Sequence, residues 1–150
     1  SRTGRVKLTR VMASGVFDII HPGHISYLRQ AKSYGDELVV VVASDETVRR
    51  EKHEPITPED MRAKIVGELK PVDRAVVGHS GGSIFDIVRE IRPDVIVLGY
   101  DQHFDEAKLA RDLEANGLPG IKIVRATETA DDLNATRRIV AKIRNMGGAN

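Results

Sequence analysis

Hydrophobic residues fall along the chain in two alternating kinds of run. Short β-rich runs occur at Arg10-Val11-Met12-Ala13-Ser14, Glu37 to Ala43, Arg74-Ala75-Val76-Val77, Val95-Ile96-Val97-Leu98 and Ile121 to Val124. Between them, apolar residues recur at helical spacing. Strands alternating with helices predict βαβ units and a parallel sheet. The second run is nearly unbroken valine, as expected of a central strand covered on both faces. The predicted fold is α/β, a doubly wound five-stranded parallel sheet in a single domain.

Helix boundaries are legible as well. One helix is predicted from about His24 to Tyr34, stopped by Gly35. Thr57-Pro58 predicts an N-cap with proline at the first helical position, and Met61, Ile65 and Leu69 the buried stripe that follows. Ser83 and Asp86 form a near capping box before Ile84, Ile87, Val88 and Ile91. Asp105 caps a helix carrying Leu109 and Leu113, and Gly117 ends it. A last helix starts near Asn134 and buries Ile139, Val140 and Ile143. Residues 1–9 read as a flexible arm or appended remnant, 10–145 as the domain and 146–150 as a disordered tail.

Composition narrows the possibilities. The 150 residues suit one domain, and the 41% hydrophobic and 30% charged fractions predict a soluble globule. A net charge of +1 lacks the basic excess of a duplex-binding protein, and six aromatic residues are few for stacking single strands. No nucleic-acid partner is expected. The absence of cysteine removes disulfides, thiolate nucleophiles and cysteine-bound zinc, and fits a cytoplasmic protein. The longest apolar run, Leu38 to Ala43, is far short of the ~20 residues of a membrane span.

In open parallel sheets ligands bind beyond the carboxyl ends of the strands, where the strand order reverses. The string Gly15-Val16-Phe17-Asp18-Ile19-Ile20-His21-Pro22-Gly23-His24 stands at such a place. Gly15 and Gly23 permit close backbone approach. Backbone N–H groups at a helix start attract anions, and two histidines three apart can donate to one cluster of phosphate oxygens. Metal ligation is the competing use. His-x-x-His supplies two ligands, Asp18 at most a third, and Pro-Gly spoils a helical pair, so no metal site is assigned. No Gly-x-Gly-x-x-Gly follows any strand, which disfavours a dehydrogenase or flavodoxin-like domain.

The same string resembles the hallmark of the cytidylyltransferase-like nucleotidyltransferases of the HxGH type, with Val16 where that family usually has threonine or another small residue. The resemblance spans roughly Val11 to Ile143. It implies that His21 and His24 contact nucleotide phosphates and stabilise the transition state at the α-phosphorus, with Gly15, Val16, Phe17 and Gly23 forming the nucleotide-binding turn. Lys52, with Arg50 close behind, is implied as a phosphate contact. Arg62, after Glu59 and Asp60, is implied as a supporting residue, as is Asp18. Tyr100 and Asp101, in the Gly99-to-Asp105 string after the fourth strand, are implied for base and ribose. Asn134, Thr136 and Arg137 fall on the family's hydroxyl-rich motif for the outer phosphates, here poorer in hydroxyls. Arg137 and Arg138 oppose the dipole of their helix start, and a bound anion would reverse that cost.

The implied reaction transfers a nucleoside monophosphate from CTP or ATP, with Mg²⁺, to a small phosphorylated acceptor, releasing pyrophosphate. Length and the loop after Leu98 are most similar to archaeal-type FAD synthases, which use FMN, and to glycerol-3-phosphate cytidylyltransferases. The former often carry C-terminal cysteines, absent here. A homodimer is implied by the same resemblance. The alternative is a non-catalytic nucleotide-binding or dimerisation module of a larger protein.

Overall fold

The computed structural model describes residues 7–128 and 135–148, with backbone alone for 135–137 and 148. Five parallel strands, β1 (Arg10–Gly15), β2 (Glu37–Val42), β3 (Arg74–Val77), β4 (Val95–Leu98) and β5 (Lys122–Arg125), lie in the order β3-β2-β1-β4-β5. Six helices accompany them: α1 (Pro22–Lys32), α2 (Asp45–Glu51), α3 (Glu59–Gly67), α4 (Ile84–Ile91), α5 (Glu106–Ala115) and α6 (Ala135–Gly148).

Strand alternation divides the interior into two cores. Val11, Ala13, Leu38, Val40 and Val42 face α1 and α3 through Leu28, Ala31 and Val66. Met12, Val39, Val41, Ile96 and Leu98 face α4 and α5 through Val88, Ile91, Leu109 and Leu113. Each fully buried aliphatic side chain contributes about 1.5–3 kcal/mol. The valine run therefore fixes β2 in the middle of the molecule.

The register places the functional end. β1 pairs with β2 from Arg10↔Glu37 through Gly15↔Val42, but with β4 only from Val11↔Val95 to Ala13↔Val97. The sheet splits beyond Ala13, between the two strands where the winding reverses. A ligand crevice is expected there.

Several boundaries differ from the sequence expectation. α1 begins at Pro22, because His21 and not a later residue is its N-cap. Ser44 caps α2, a short helix that the hydrophobic period does not announce. Pro58, not Thr57, occupies the N-cap of α3, without a side-chain cap. Met61 (48% exposed) and Ile65 (45%) turn outward while Arg62 and Val66 are buried. The guanidinium has better partners inside than any hydrocarbon would. Ile143 is likewise exposed, β5 runs one residue later than predicted, and α6 continues through Gly148, past the expected start of a tail at Met146. Before β1, Thr9 is held by Asp36 and Lys7 by Asp94. The arm is therefore tied down at its last residues.

Candidate active site

The chain leaves β1 at Gly15 and turns sharply. Phe17 adopts φ 56°, a left-handed conformation that costs a side-chain-bearing residue roughly 1–2 kcal/mol. The turn folds its ring against Gly15, where an added Cβ would lie 2.8 Å from Phe17 Cε2. Glycine is required at that position by this contact. The Phe17 ring is buried and lies 5.3 Å from the His24 ring. It supports the histidine from inside the fold.

His21 and His24 cap α1 reciprocally. His21 Nδ1 accepts from Gly23 N at 3.1 Å, and His24 Nδ1 accepts from His21 N at 3.2 Å. Their rings lie 3.9 Å apart. Because each Nδ1 is an acceptor, each ring carries its proton on Nε2. Local backbone geometry thus sets both histidines as Nε2–H donors. The first turn of α1 contains no acidic residue, so its positive end is not neutralised from within the helix.

Behind this turn lie two supporting groups. Asp18 accepts from Ile56 N (2.7 Å), Thr57 N (2.8 Å) and Thr57 Oγ1 (2.8 Å). Burial pushes its carboxyl up, but these donors, aided by the charge of Arg62, outweigh it and hold the group below its ordinary value of 3.8. Arg62, 1% exposed, donates to Thr57 O, Val16 O and Ala43 O at 2.8–2.9 Å and pairs with Asp45 at 2.6 Å. It joins the turns after β1 and β2 to the segment before α3. Arg62 is sealed from substrate and acts by position. Lys52 is the exposed C-cap of α2, while Arg50 donates to Ser80 O.

Across the split, three residues that the sequence reading passed over hold the crevice open. The Tyr27 hydroxyl accepts from Ser14 N (3.2 Å) and donates to Val97 O (2.7 Å), filling the fork where β1 and β4 part. Burial pushes its phenol well above the ordinary range. Gln102 accepts from Gly99 N and donates to Ser14 O, so the loop after β4 is fastened to β1. Arg125, from β5, donates to the carbonyls of Gly99, Gln102 and Phe104. Tyr100 and the exposed Asp101 sit on the loop so fixed. Tyr27 looks like an ordinary member of an apolar helix face, and nothing in its neighbours marks its hydroxyl. Gln102 reaches Ser14, 88 residues away, and Arg125 reaches carbonyls 21 to 26 residues away, beyond any local pattern.

Next to the histidine turn is a cavity of about 290 Å³. Met12, Val41, Val48, Ile84, Ile87 and Phe104 make it largely apolar, and Gly15 and Val16 form the wall shared with the histidine turn. Lys52, Ser44, His79 and Ser83 supply polar groups at this cavity. Asn134 lies outside the described residues. The backbone at Thr136 and Arg137 is the first turn of α6. Among the described residues no group of three or more His, Asp or Glu is arranged to hold a metal ion, and no helix is long and apolar enough to cross a membrane.

A reversal-point crevice, a helix start capped by the two histidines and a cavity beside it thus stand together at the carboxyl end of a Rossmann-like sheet. A family model described as cytidylyltransferase-like matches residues 12–141, and the chain belongs to the cytidylyltransferase-like family. Among curated relatives, an FAD synthase of Aciduliprofundum boonei is 54% identical over 137 residues, covering 91% of both chains. An FAD synthase of Thermoplasma acidophilum is 51% identical, covering 94% of this chain and 98% of its own. Among solved structures, a lipopolysaccharide core biosynthesis protein from Thermoplasma volcanium GSS1 superposes with a TM-score of 0.79 at 50% identity, over 82% of this chain and 99% of that one.

Proposed function

We propose that this nucleotidyltransferase is an FMN adenylyltransferase, joining ATP and FMN to give FAD and pyrophosphate. The observation that carries the choice of acceptor is the apolar cavity against the histidine turn. Glycerol 3-phosphate has almost no hydrocarbon surface to bury there. A flavin ring system does, and burial is worth about 25 cal/mol per Å² of apolar surface. The relatives named FAD synthase support the same acceptor and support ATP as donor.

In this reading an oxygen of the FMN phosphate forms the new bond to the α-phosphorus. The bond from that phosphorus to the bridging oxygen breaks, and pyrophosphate leaves with the electron pair. The acceptor is already anionic, so no general base is needed, and rate enhancement comes from positioning and charge stabilisation. His21 and His24 donate through Nε2–H to the α-phosphate oxygens. Lys52 holds the acceptor phosphate at the cavity, and Tyr100 and Asp101 serve the base and ribose. Thr136 and Arg137, with Asn134, serve the outer phosphates on the strength of the motif. Given the absence of a carboxylate cluster among the described residues, triphosphate oxygens and water would hold Mg²⁺. Its chemistry there is charge neutralisation. A cytoplasmic homodimer is the setting that goes with this reading.

The test offers Mg²⁺ with ATP or CTP against FMN or glycerol 3-phosphate, following pyrophosphate and FAD. Pyrophosphate with FAD from ATP and FMN alone is expected. Turnover of CTP with glycerol 3-phosphate, and none with ATP and FMN, would overturn the proposal. Nucleotide binding without pyrophosphate from any pair would select the non-catalytic module.

A further inference from the structure

We infer that Arg29 binds the leaving pyrophosphate, in a groove on the outer flank of α1 that it forms with His21 and Ser26. The direction of the inference rests on the adenylyl-transfer reading.

In-line displacement puts the incoming and departing oxygens on opposite sides of the phosphorus. The apolar cavity opens over the sheet face covered by α4, since Met12, Val41, Ile84 and Ile87 belong to that core or pack on it. α1 covers the other face through Leu28 and Ala31, and the histidine turn lies between the two. An acceptor phosphate arriving from the cavity therefore drives the leaving group out over α1. A groove of about 650 Å³ is found there, lined by Ile20, His21, Pro22, Ile25, Ser26 and Arg29, with Gln30 as its far wall. His21 lines this groove, while Gly15 and Val16 of the same turn line the cavity.

Residues 22, 25, 26 and 29 share one side of the helix by its 3.6-residue period. Long helical side chains lean toward the helix N-terminus, which carries the Arg29 guanidinium in the direction of His21. Among the described residues, no Asp or Glu lines the groove and Arg29 is its one lysine or arginine. Neighbouring cations are committed elsewhere, Lys32 to Asp73 and Arg10 to Glu37. The Arg29 side chain has no hydrogen bond or ion pair among the described residues. Gln30 is fixed, accepting from Thr127 N at 2.9 Å and donating to Thr127 O at 3.2 Å, so the wall is a set surface. A planar guanidinium in such a place suits the paired oxygens of a diphosphate.

The test is R29Q, with R29K as the conservative variant, assayed in reverse from FAD and magnesium pyrophosphate and forward under pyrophosphate inhibition. In R29Q the KM and inhibition constant for pyrophosphate should rise about tenfold or more, as expected for one lost charge-assisted bond. R29K should recover part of the loss. KM for FMN and FAD should stay where they are. Unchanged pyrophosphate constants, or an equal rise in the FMN constant, would overturn the assignment. If the parent protein makes no FAD, the adenylyl-transfer reading fails by itself. Calorimetric titration of magnesium pyrophosphate into parent and R29Q then decides the groove, and equal affinities reject it.

Discussion

At the residue scale the active centre depends on which nitrogen of each histidine faces inward. His24 gives Nδ1 to the backbone of His21, and His21 gives Nδ1 to Gly23. His24→Ala removes the proposed phosphate donor and one helix cap together. Turnover should fall about 10²–10³-fold, while chemical denaturation registers only the cap, about 1 kcal/mol. Turnover close to the parent's would take His24 out of the mechanism. Asp18 carries a pH signature. Its folded carboxyl is depressed, so its contribution to stability is complete above the ordinary 3.8 and is lost as pH falls through the lower folded value. Asp18→Asn should lower stability at pH 6 and flatten its decline on acidification in urea titrations. Asp73 and Asp94 are also depressed and will leave a residual acid limb. Parallel pH dependences in parent and variant would show that Asp18 contributes no such term. The histidine turn is legible in the sequence because its parts are adjacent and bond to one another. Arg62 is legible as a neighbour of the site but not as a buried residue. Its partners come from three separate turns, and only their convergence makes a sealed guanidinium affordable.

At the scale of elements, the strands follow from their apolar runs because both faces of the sheet are covered. α3 does not follow so simply. Its period alone buries Met61 and Ile65, whereas the helix is rotated to place Arg62 and Val66 inside. The fork between β1 and β4 was equally hidden, since it depends on one hydroxyl from α1. Tyr27→Phe keeps the ring and removes that oxygen, leaving Ser14 N and Val97 O without it. Stability should drop by about 1–3 kcal/mol, with the denaturant slope unchanged. Tyr34→Phe, at an exposed ring, is the control and should change little. Equal stability of Tyr27→Phe and parent would mean that the fork is held by the strands themselves.

At the scale of the molecule, the proposed reaction divides its labour between the two faces of the sheet. The apolar cavity belongs with α4 and the groove with α1, and the histidine turn stands between them. This two-sidedness makes acceptor and donor separable by mutation. Ile87 projects from α4 into the cavity without being fully buried. It lies on the other side of the sheet from the α1 groove, so bulk added there should obstruct the acceptor alone. Ile87→Trp would occupy the space a flavin ring needs. KM for FMN should rise about tenfold or more, because the apolar contact that binds the ring is displaced. KM for ATP should hold, since His21 and Arg29 line the α1 groove and Ile87 lines the cavity. Initial rates at varied FMN and fixed ATP, and the converse, give both constants from one preparation. If the two rise together, the cavity serves the donor or the substitution distorts the turn, and a melting curve separates those cases. If neither moves, FMN binds elsewhere and the apolar cavity loses its place in the reaction.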